Sequence, residues 1–303
     1  MANSNLIVNF ARVTQKKSMR VSFFTLLALV FTTLFVATGC TEKSGSSSSD
    51  TLSTDTLSTD TVDSISRMVA ETAMPRTADE LFDDFFFNFA ASKKVQLSRT
   101  LFPLKMEKFG KASVIEKNKW KTEHFFMKQG YYTLIFNNKR SLSIMKDTAV
   151  NEVTVEHIAM TRGTVKQWHF IRNNGLWNLS DIRMITLKQH GDSEFLSFYQ
   201  KFVSDTKFQQ ESLSETVTFT GPDPEDDFST MTGEILPEQW PMFAPWLPSE
   251  TIYNIVYSSP THKSSKKETN VRFFLIRGIA NGLQTDLTFV KNGGRWKLKK
   301  ITT

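Results

Sequence analysis

Asp79-Glu-Leu-Phe-Asp-Asp-Phe-Phe-Phe-Asn-Phe-Ala-Ala-Ser-Lys-Lys-Val-Gln96 is matched 113 residues later by Asp192-Ser-Glu-Phe-Leu-Ser-Phe-Tyr-Gln-Lys-Phe-Val-Ser-Asp-Thr-Lys-Phe-Gln209. In both stretches, aromatic residues recur at positions i, i+3, i+4 and i+7, which is the spacing of one face of an α-helix. These residues are Phe82, Phe85, Phe86 and Phe89 in the first stretch, and Phe195, Phe198, Tyr199 and Phe202 in the second. The pattern predicts two amphipathic helices of the same kind.

The segments that follow the two predicted helices also match in order. Phe170-Ile-Arg-Asn-Asn-Gly-Leu-Trp-Asn-Leu-Ser-Asp-Ile182 corresponds to Phe289-Val-Lys-Asn-Gly-Gly-Arg-Trp-Lys-Leu-Lys-Lys-Ile301. Asn-Gly and Gly-Gly between apolar runs favour tight β-hairpin turns. Between helix and hairpin, Tyr132-Thr-Leu-Ile-Phe136 aligns with Tyr253-Asn-Ile-Val-Tyr257, and Trp120 aligns with Trp240. A helix, a strand and a hairpin repeated in one order indicate an internal duplication.

The duplication predicts two tandem α+β domains, residues 79–190 and 191–303. We expect each to be cone-shaped, with a long N-terminal helix packed on a curved antiparallel sheet. In the first domain, strands are expected around 130–138, 151–161, 163–173 and 176–186.

This order of elements, ending in a hairpin that carries a Trp, resembles the nuclear transport factor 2-like (cystatin-like) cone fold. With Leu101-Phe-Pro-Leu104 after the helix, the chain is also similar to uncharacterised bacterial lipoproteins built on a tandem of that fold, a family of unknown function. The resemblance covers residues 79–303 and implies a fold. It implies no catalytic residue, because the matching positions are core aromatics and a turn.

The N-terminus has the features of a bacterial lipoprotein signal peptide. An apolar run from Val21 to Val36 follows four basic residues and ends in Ala37-Thr-Gly-Cys40. We expect residues 1–39 to be removed and Cys40, the only cysteine, to carry the lipid, including palmitate or a similar acyl chain. The alternatives are an uncleaved membrane anchor and a secretory signal cut near Ala37, and the start could be Met1 or Met19.

The cleaved chain would be presented at the cell envelope. Residues 40–78 are rich in Ser, Thr and Asp and predict a disordered tether. Thr41 follows the cysteine where aspartate would favour retention at the inner membrane, so the outer membrane is favoured if the source is Gram-negative.

Composition excludes several function classes. The net charge falls from +6 to +2 when residues 1–39 are removed, so a nucleic-acid partner is not expected. No disulfide can form downstream of Cys40. The predicted first domain has net charge +7 and the second −2, which would suit docking of the two or an anionic partner; solvated lysine-rich faces are the commoner explanation.

No residue pattern supports catalysis, a cofactor or a metal ion. His157 and His169 lie on predicted strands without counterparts in the second copy, and the acidic loop 223–227 lacks the spacing of an EF-hand. The aromatic stripe of each helix could line a ligand pocket or fill the core.

We therefore expect a lipid-anchored protein that binds an envelope protein, a glycan or a small apolar ligand. An isomerase- or dehydratase-like enzyme and an accessory subunit of an envelope complex are the alternatives.

Overall fold

Each aromatic stretch folds as two short helices, whereas its spacing predicts one long helix. The first forms α1 (Phe82–Ala91) and α2 (Lys93–Ser98), and the second forms α3 (Ser193–Ser204) and α4 (Thr206–Glu211). The break falls at Ser92, which has extended backbone angles (φ −123°, ψ 116°) and accepts the Val95 N–H at its hydroxyl. Asp205 does the same for the N–H of Phe208. A side chain that caps a new helix start ends the preceding helix.

The computed structural model describes residues 79–226, 228–258 and 270–303. Cys40 and the predicted signal and tether segments lie outside the described residues. Of the described residues, 79–223, 228–258 and 270–303 belong to one compact unit, and 224–226 are not part of it. No helix in the described part of the chain is long and apolar enough to cross a membrane.

The fold is α+β and is dominated by one large curved sheet. Its strands before α3 are β1 (Thr100–Lys108), β2 (Lys111–Ile115), β3 (Tyr131–Phe136), β4 (Glu152–Ala159), β5 (Thr164–Asn173) and β6 (Leu176–Thr186). The strands after α4 are β7 (Leu213–Pro222), β8 (Thr230–Ile235), β9 (Thr251–Ser258), β10 (Val271–Gly278), β11 (Gln284–Asn292) and β12 (Arg295–Thr302), with α5 (Trp240–Phe243) between β8 and β9. Short 3₁₀ helices are Lys117–Lys119, Phe125–Lys128, Lys139–Lys146 and Leu187–Gln189.

The strands predicted around 130–138, 151–161, 163–173 and 176–186 are confirmed. Strands β1 and β2 were not predicted, because Pro103 interrupts the apolar run of β1 and almost every side chain of β2 is exposed.

The strand order is β2-β1-β6-β5-β4-β9-β3-β10-β11-β12-β7-β8, so the sheet continues across the predicted boundary at 190/191. Strand β9 pairs with β4, and β3 pairs with β10, so each lies among strands from the other side of that boundary. The predicted antiparallel pairing holds for most neighbouring strands, whereas β1–β6, β12–β7 and β3–β9 are parallel.

The four central strands of the sheet are β4, β9, β3 and β10. Two separate hydrophobic cores cover them, one on each face of the sheet. Alternate side chains of each strand point to opposite faces. In β10, Leu275 packs in the first core while Phe274 and Ile276 pack in the second. In β9, Ile255 belongs to the first core and Ile252 to the second. The first core contains α1, and the second contains α3.

Both cores repeat the same aromatic contacts. The rings of Phe82 and Trp177 meet edge to face at 5.1 Å, and those of Phe195 and Trp296 at 5.3 Å. The indole N–H groups of the aligned tryptophans also have matching acceptors. The Trp120 Nε1 donates to Gln96 Oε1 at 3.2 Å, and the Trp240 Nε1 donates to Gln209 Oε1 at 3.0 Å. Matched contacts of this kind place the two aromatic stretches in equivalent positions.

A buried carboxylate, Glu156, joins the strands at the centre of the sheet. It lies directly opposite Gln167 on β5 and Asn254 on β9. Both amides donate to the carboxylate, at 2.8 and 3.0 Å, and the Nε2 of His190 contacts it at 3.0 Å. Burial alone would raise the pKa of Glu156, but these partners hold it below its ordinary value of 4.5. Glu156 is therefore ionised and fully hydrogen-bonded although it is only 2% exposed.

His190 is the charge partner of Glu156. Burial lowers the pKa of His190, and the Asp192 N–H, which donates to Nδ1, also opposes protonation. The hydrogen bond and charge of Glu156, with the charge of the Asp192 carboxylate, outweigh burial and raise the pKa of His190 above its ordinary value of 6.5.

Glu156→Ala should lower the free energy of unfolding by about 3–5 kcal/mol, because it leaves the buried Asn254 and the partly buried Gln167 and His190 without their acceptor. Urea unfolding followed by circular dichroism measures the loss. The matched control is Glu107→Gln, which removes an exposed ion pair with Arg183 at 3.9 Å and should cost under about 1 kcal/mol. Equal losses in the two variants would contradict the central role of Glu156.

The raised pKa of His190 predicts that the protein is less stable at high pH. The stabilisation is fully present below pH 6.5 and is lost as the pH rises through the folded-state pKa. Between about pH 6 and about pH 8, the wild type should lose stability that His190→Gln does not lose. Urea unfolding at the two pH values checks this, with the exposed His124→Gln as the control that should behave like the wild type. An unchanged pH dependence in His190→Gln would refute the assignment.

Candidate functional site

The sequence allows the aromatic stripe of each helix either to line a ligand pocket or to fill the core. In the structure, the two stripes lie in the two cores. All their members are buried except Phe198, which is partly buried. Their rings are in contact; Tyr199 stacks on Phe274 at 4.4 Å, and its hydroxyl donates to the Pro248 carbonyl at 3.2 Å. Each stripe therefore fills the space between its helix and the sheet.

The candidate site is an open groove of about 630 Å³ on the sheet surface near the β2 edge. Its walls come from β1, β2, β5 and β6 and are lined by Lys105, Met106, Glu107, Ala112, Ser113, Val114, His169, Asp181, Ile182 and Arg183. Strand pairing places the lining residues in rows that run across neighbouring strands. One row runs from Val114 through Lys105 and Asp181 to His169.

A β-bulge brings His169 and Asp181 together. His169 lies opposite Asp181, but the next pair is Phe170 with Leu179, so Ser180 is the extra residue. The His169 Nδ1 is 3.1 Å from Asp181 Oδ2, and the Ser180 hydroxyl is 2.7 Å from the same oxygen. Both ionisable side chains are about one-third exposed. Bulges redirect side chains in this way beside functional sites.

The arrangement differs from a serine-hydrolase triad. In a triad the serine contacts one imidazole nitrogen and the carboxylate contacts the other. Here the Ser180 Oγ is 3.4 Å from His169 Nδ1, the nitrogen that Asp181 already contacts. The pair can orient the imidazole and present its Nε2 to a ligand, but Ser180 is not placed as a nucleophile.

The groove carries charges of both signs. Lys105 lies opposite Asp181, and Glu107 lies opposite Arg183, so positive and negative side chains alternate across β1 and β6. Such a surface offers hydrogen-bond donors and acceptors to a polar ligand. Among the described residues there is no group of three or more His, Cys, Asp or Glu side chains that could hold a metal ion.

The corresponding position after α3 lacks the acid–base pair. Thr288 lies opposite Lys300 at a bulge in the β11–β12 hairpin, where the first hairpin has His169 opposite Asp181. The bulge is thus common to both hairpins, and the ionisable pair belongs to the first alone.

Sequence reasoning named His169 but missed Asp181. The Asn174-Gly175 turn is visible in the sequence and, with regular pairing, would place His169 opposite Ser180. The bulge shifts the pairing by one residue and brings Asp181 into place. No residue in the hairpin signals that shift.

His157 is on the opposite face of the sheet from His169. It lies beside the ring of Tyr253, with centroids 4.7 Å apart. Burial lowers its pKa from the ordinary value, and the charges of Arg162 and Lys166 lower it further. The two histidines flagged in the sequence therefore do not share a site.

Comparison with solved structures gives a crystallographic relative. The chain is similar to an NTF2-like protein from Bacteroides fragilis NCTC 9343, with 32% sequence identity and a TM-score of 0.66. The match covers 74% of this chain and 96% of that one. A comparison with curated proteins returned no significant match.

A family model places the chain more directly. It matches residues 61–303, which include every described residue, and its description is a domain of unknown function. By this match, the chain belongs to the DUF4348 family.

Proposed function

We propose that this protein is a lipid-anchored component of the cell envelope that binds a partner polypeptide in the groove beside His169. The observation that carries the proposal is the contrast between filled cores and an open groove. A small apolar ligand would need an enclosed cavity, whereas the aromatic stripes occupy that space.

The chemistry of the groove favours an extended polypeptide over a compact metabolite. Its floor alternates charges of both signs, and the edge strand β2 contributes the exposed Ala112, Ser113 and Val114. A peptide carries both charges and backbone hydrogen-bonding groups at regular spacing along its length. Binding of a glycan would use the same polar groups and is an outcome that the experiment below separates.

The anchor in this proposal is Cys40, with residues 1–39 as the signal peptide. The support is the basic and apolar N-terminal sequence and the small residues before the only cysteine. A single acyl chain holds a protein only weakly at a membrane. The N-acyl chain and the diacylglycerol on Cys40 together supply more than one chain, so attachment would be stable. The outer membrane is the preferred location if the source is Gram-negative.

We further propose that residues 79–190 and 191–303 are two copies of one NTF2-like unit that have exchanged a strand. Two observations support this. The Trp–Gln and Phe–Trp contacts match in the two cores, and the order of strands read from the β2 edge corresponds to the order read from the β8 edge. The groove would then be a specialisation of the first copy, because the second has Thr288 and Lys300 at its bulge.

An enzyme is the second candidate function, and one observation favours it. His169 and Asp181 are within hydrogen-bond reach of each other in a groove, as a general base and its orienting carboxylate would be. The shallow, open surface does not exclude water, which argues for binding over catalysis.

The groove predicts charge-dependent capture of a partner. A photo-crosslinking residue at Ser113, in the full-length anchored protein in native membranes, should recover a specific polypeptide. The double variant Lys105→Glu/Arg183→Glu should lower recovery by about tenfold or more, because two cationic contacts become repulsive. The matched control, Arg295→Glu/Lys300→Glu on β12, should leave recovery unchanged.

Loss of recovery in both double variants, or in neither, would contradict the groove as the binding site. Recovery of a glycan alone would replace the polypeptide with a carbohydrate partner. Turnover of a small molecule that disappears in His169→Gln would favour the enzyme.

The anchor predicts that Cys40→Ala abolishes lipid labelling and leaves an unprocessed precursor or a protein released from membranes, because no thiol accepts the lipid. Metabolic labelling with a radioactive fatty acid and membrane fractionation measure both effects. The control variant is Thr41→Ala, which keeps the thiol. Labelling of Cys40→Ala at the level of the wild type would disprove the assignment.

A further inference from the structure

The turn between β1 and β2 breaks two local rules of hairpin construction at once. Both central residues have positive φ, 50° for Phe109 and 81° for Gly110. Such turns favour Asn-Gly, because asparagine tolerates this region and an aromatic residue does not. The flanking Lys108 and Lys111 lie directly opposite each other, and like charges in that position repel.

The fold gives no compensation for either feature. Phe109 is 45% exposed, and its backbone N–H donates to the Met184 carbonyl at 2.9 Å, a bond that any residue except proline could make. Neither lysine is within 4.0 Å of a carboxylate among the described ion pairs. Unfavourable local choices that persist without a structural benefit point to function.

Further exposed lysines lie in the segments that precede and follow β1 and β2 in the sequence. Exposed and without ion pairs among the described residues are Lys93, Lys94, Lys108, Lys111, Lys117, Lys119 and Lys121. Lys93, Lys94 and Lys117 line one shallow depression next to α2. Exposed apolar side chains accompany them at Leu101 and Val114.

Protection of an exposed sheet edge does not account for these lysines. Lysine on an edge strand is a common device against aggregation. However, the opposite edge of the same sheet, formed by β7 and β8, contains no Lys or Arg and carries Glu215 and Glu234 instead. One edge is therefore basic and the other acidic. This difference accounts for part of the contrast in net charge between residues 79–190 and residues 191–303.

We propose that the β1–β2 hairpin, with Phe109 between Lys108 and Lys111, contacts the anionic headgroup surface of the membrane. Lysine ammonium groups pair with lipid phosphates, and an exposed phenylalanine enters the boundary between headgroups and acyl chains. A turn whose aromatic side chain is 45% exposed between two exposed lysines fits a flat bilayer, whereas a bound polypeptide would need a recess around Phe109.

That a bilayer lies near the hairpin rests on the proposed function. An acylated Cys40 would hold the protein at a membrane, and the 38 residues between Cys40 and Asp79 can span at most about 130 Å when extended. The hairpin would then set the orientation of the folded part on that membrane, with the neighbouring groove close to the bilayer surface.

The test uses the acyl-free chain 41–303, which retains all described residues, in co-sedimentation with vesicles. Vesicles of phosphatidylcholine with phosphatidylglycerol should bind it, and pure phosphatidylcholine should bind it about tenfold more weakly or less. Raising the ionic strength to about 0.5 M should release most of it, because salt screens the lysine charges. Lys108→Glu/Lys111→Glu should lower binding by about tenfold or more.

Phe109→Asn separates a membrane role from a structural one. Asparagine is favoured at this positive φ, so the melting temperature should be no lower than that of the wild type, while vesicle binding falls several-fold. The matched control is Trp246→Ala, which removes an aromatic side chain that is 57% exposed in the second half and should bind vesicles like the wild type.

Vesicle binding by Phe109→Asn at the wild-type level, or an equal loss in Trp246→Ala, would overturn the proposal. So would equal binding to soluble polyglutamate with no effect of Phe109, which would identify an acidic polypeptide as the ligand. Because the protein tested carries no lipid, failure here leaves the Cys40 anchor standing, and failure of lipid labelling leaves this result unaffected.

Discussion

The alternation of side chains along four central strands is the constraint on which the structure depends. Strands β4, β9, β3 and β10 send successive residues to opposite faces, and each face carries its own aromatic core. A strand of this kind must be apolar on both sides, and its register must be correct, because a shift by one residue would exchange the residues of the two cores. The helices, the bulged hairpins and the groove are all positioned by these strands.

Glu156 shows how the centre tolerates a charge. Its carboxylate lies where two strands from either side of the predicted boundary meet, and every partner comes from a different segment of the chain. A buried charge contributes little net stability compared with apolar packing, but it requires that all its partners be in place at once. It therefore makes pairings other than β4 with β9 unfavourable.

The sequence was sufficient for the helical stripes and for the strands with long apolar runs. Phe82 and Phe195 occupy equivalent positions in the two cores, as their spacing predicted. The alignment of Tyr132 with Tyr253 is wrong by one residue, because both side chains pack against the first core, whereas equivalent residues would face different cores. Period-two patterns alone do not fix the register of a strand that is apolar on both sides.

Tertiary pairing determined what the sequence could not show. The pairing of β3 with β10 and of β9 with β4 leaves no local trace in the sequence, because a strand has the same composition whichever neighbour it pairs with. The bulge that places His169 opposite Asp181 also has no signal in the sequence. Strand β2 is an edge strand without an apolar pattern. The candidate site therefore depends on long-range pairing, and the sequence indicates only one of its ionisable members, His169.

The pairing of β3 and β9 with strands distant in the sequence also affects the order in which the chain can fold during synthesis. Strand β3 finds its antiparallel partner, β10, only when residues 271–278 have been made, and β4 waits for β9. The first core is completed by Ile255 and Leu275, and the Tyr257 hydroxyl donates to Asp83 in α1. Until residues 251–278 are made, β3 has no strand partner and β4 is paired only with β5, so the first core is completed by strands from the second half of the sequence.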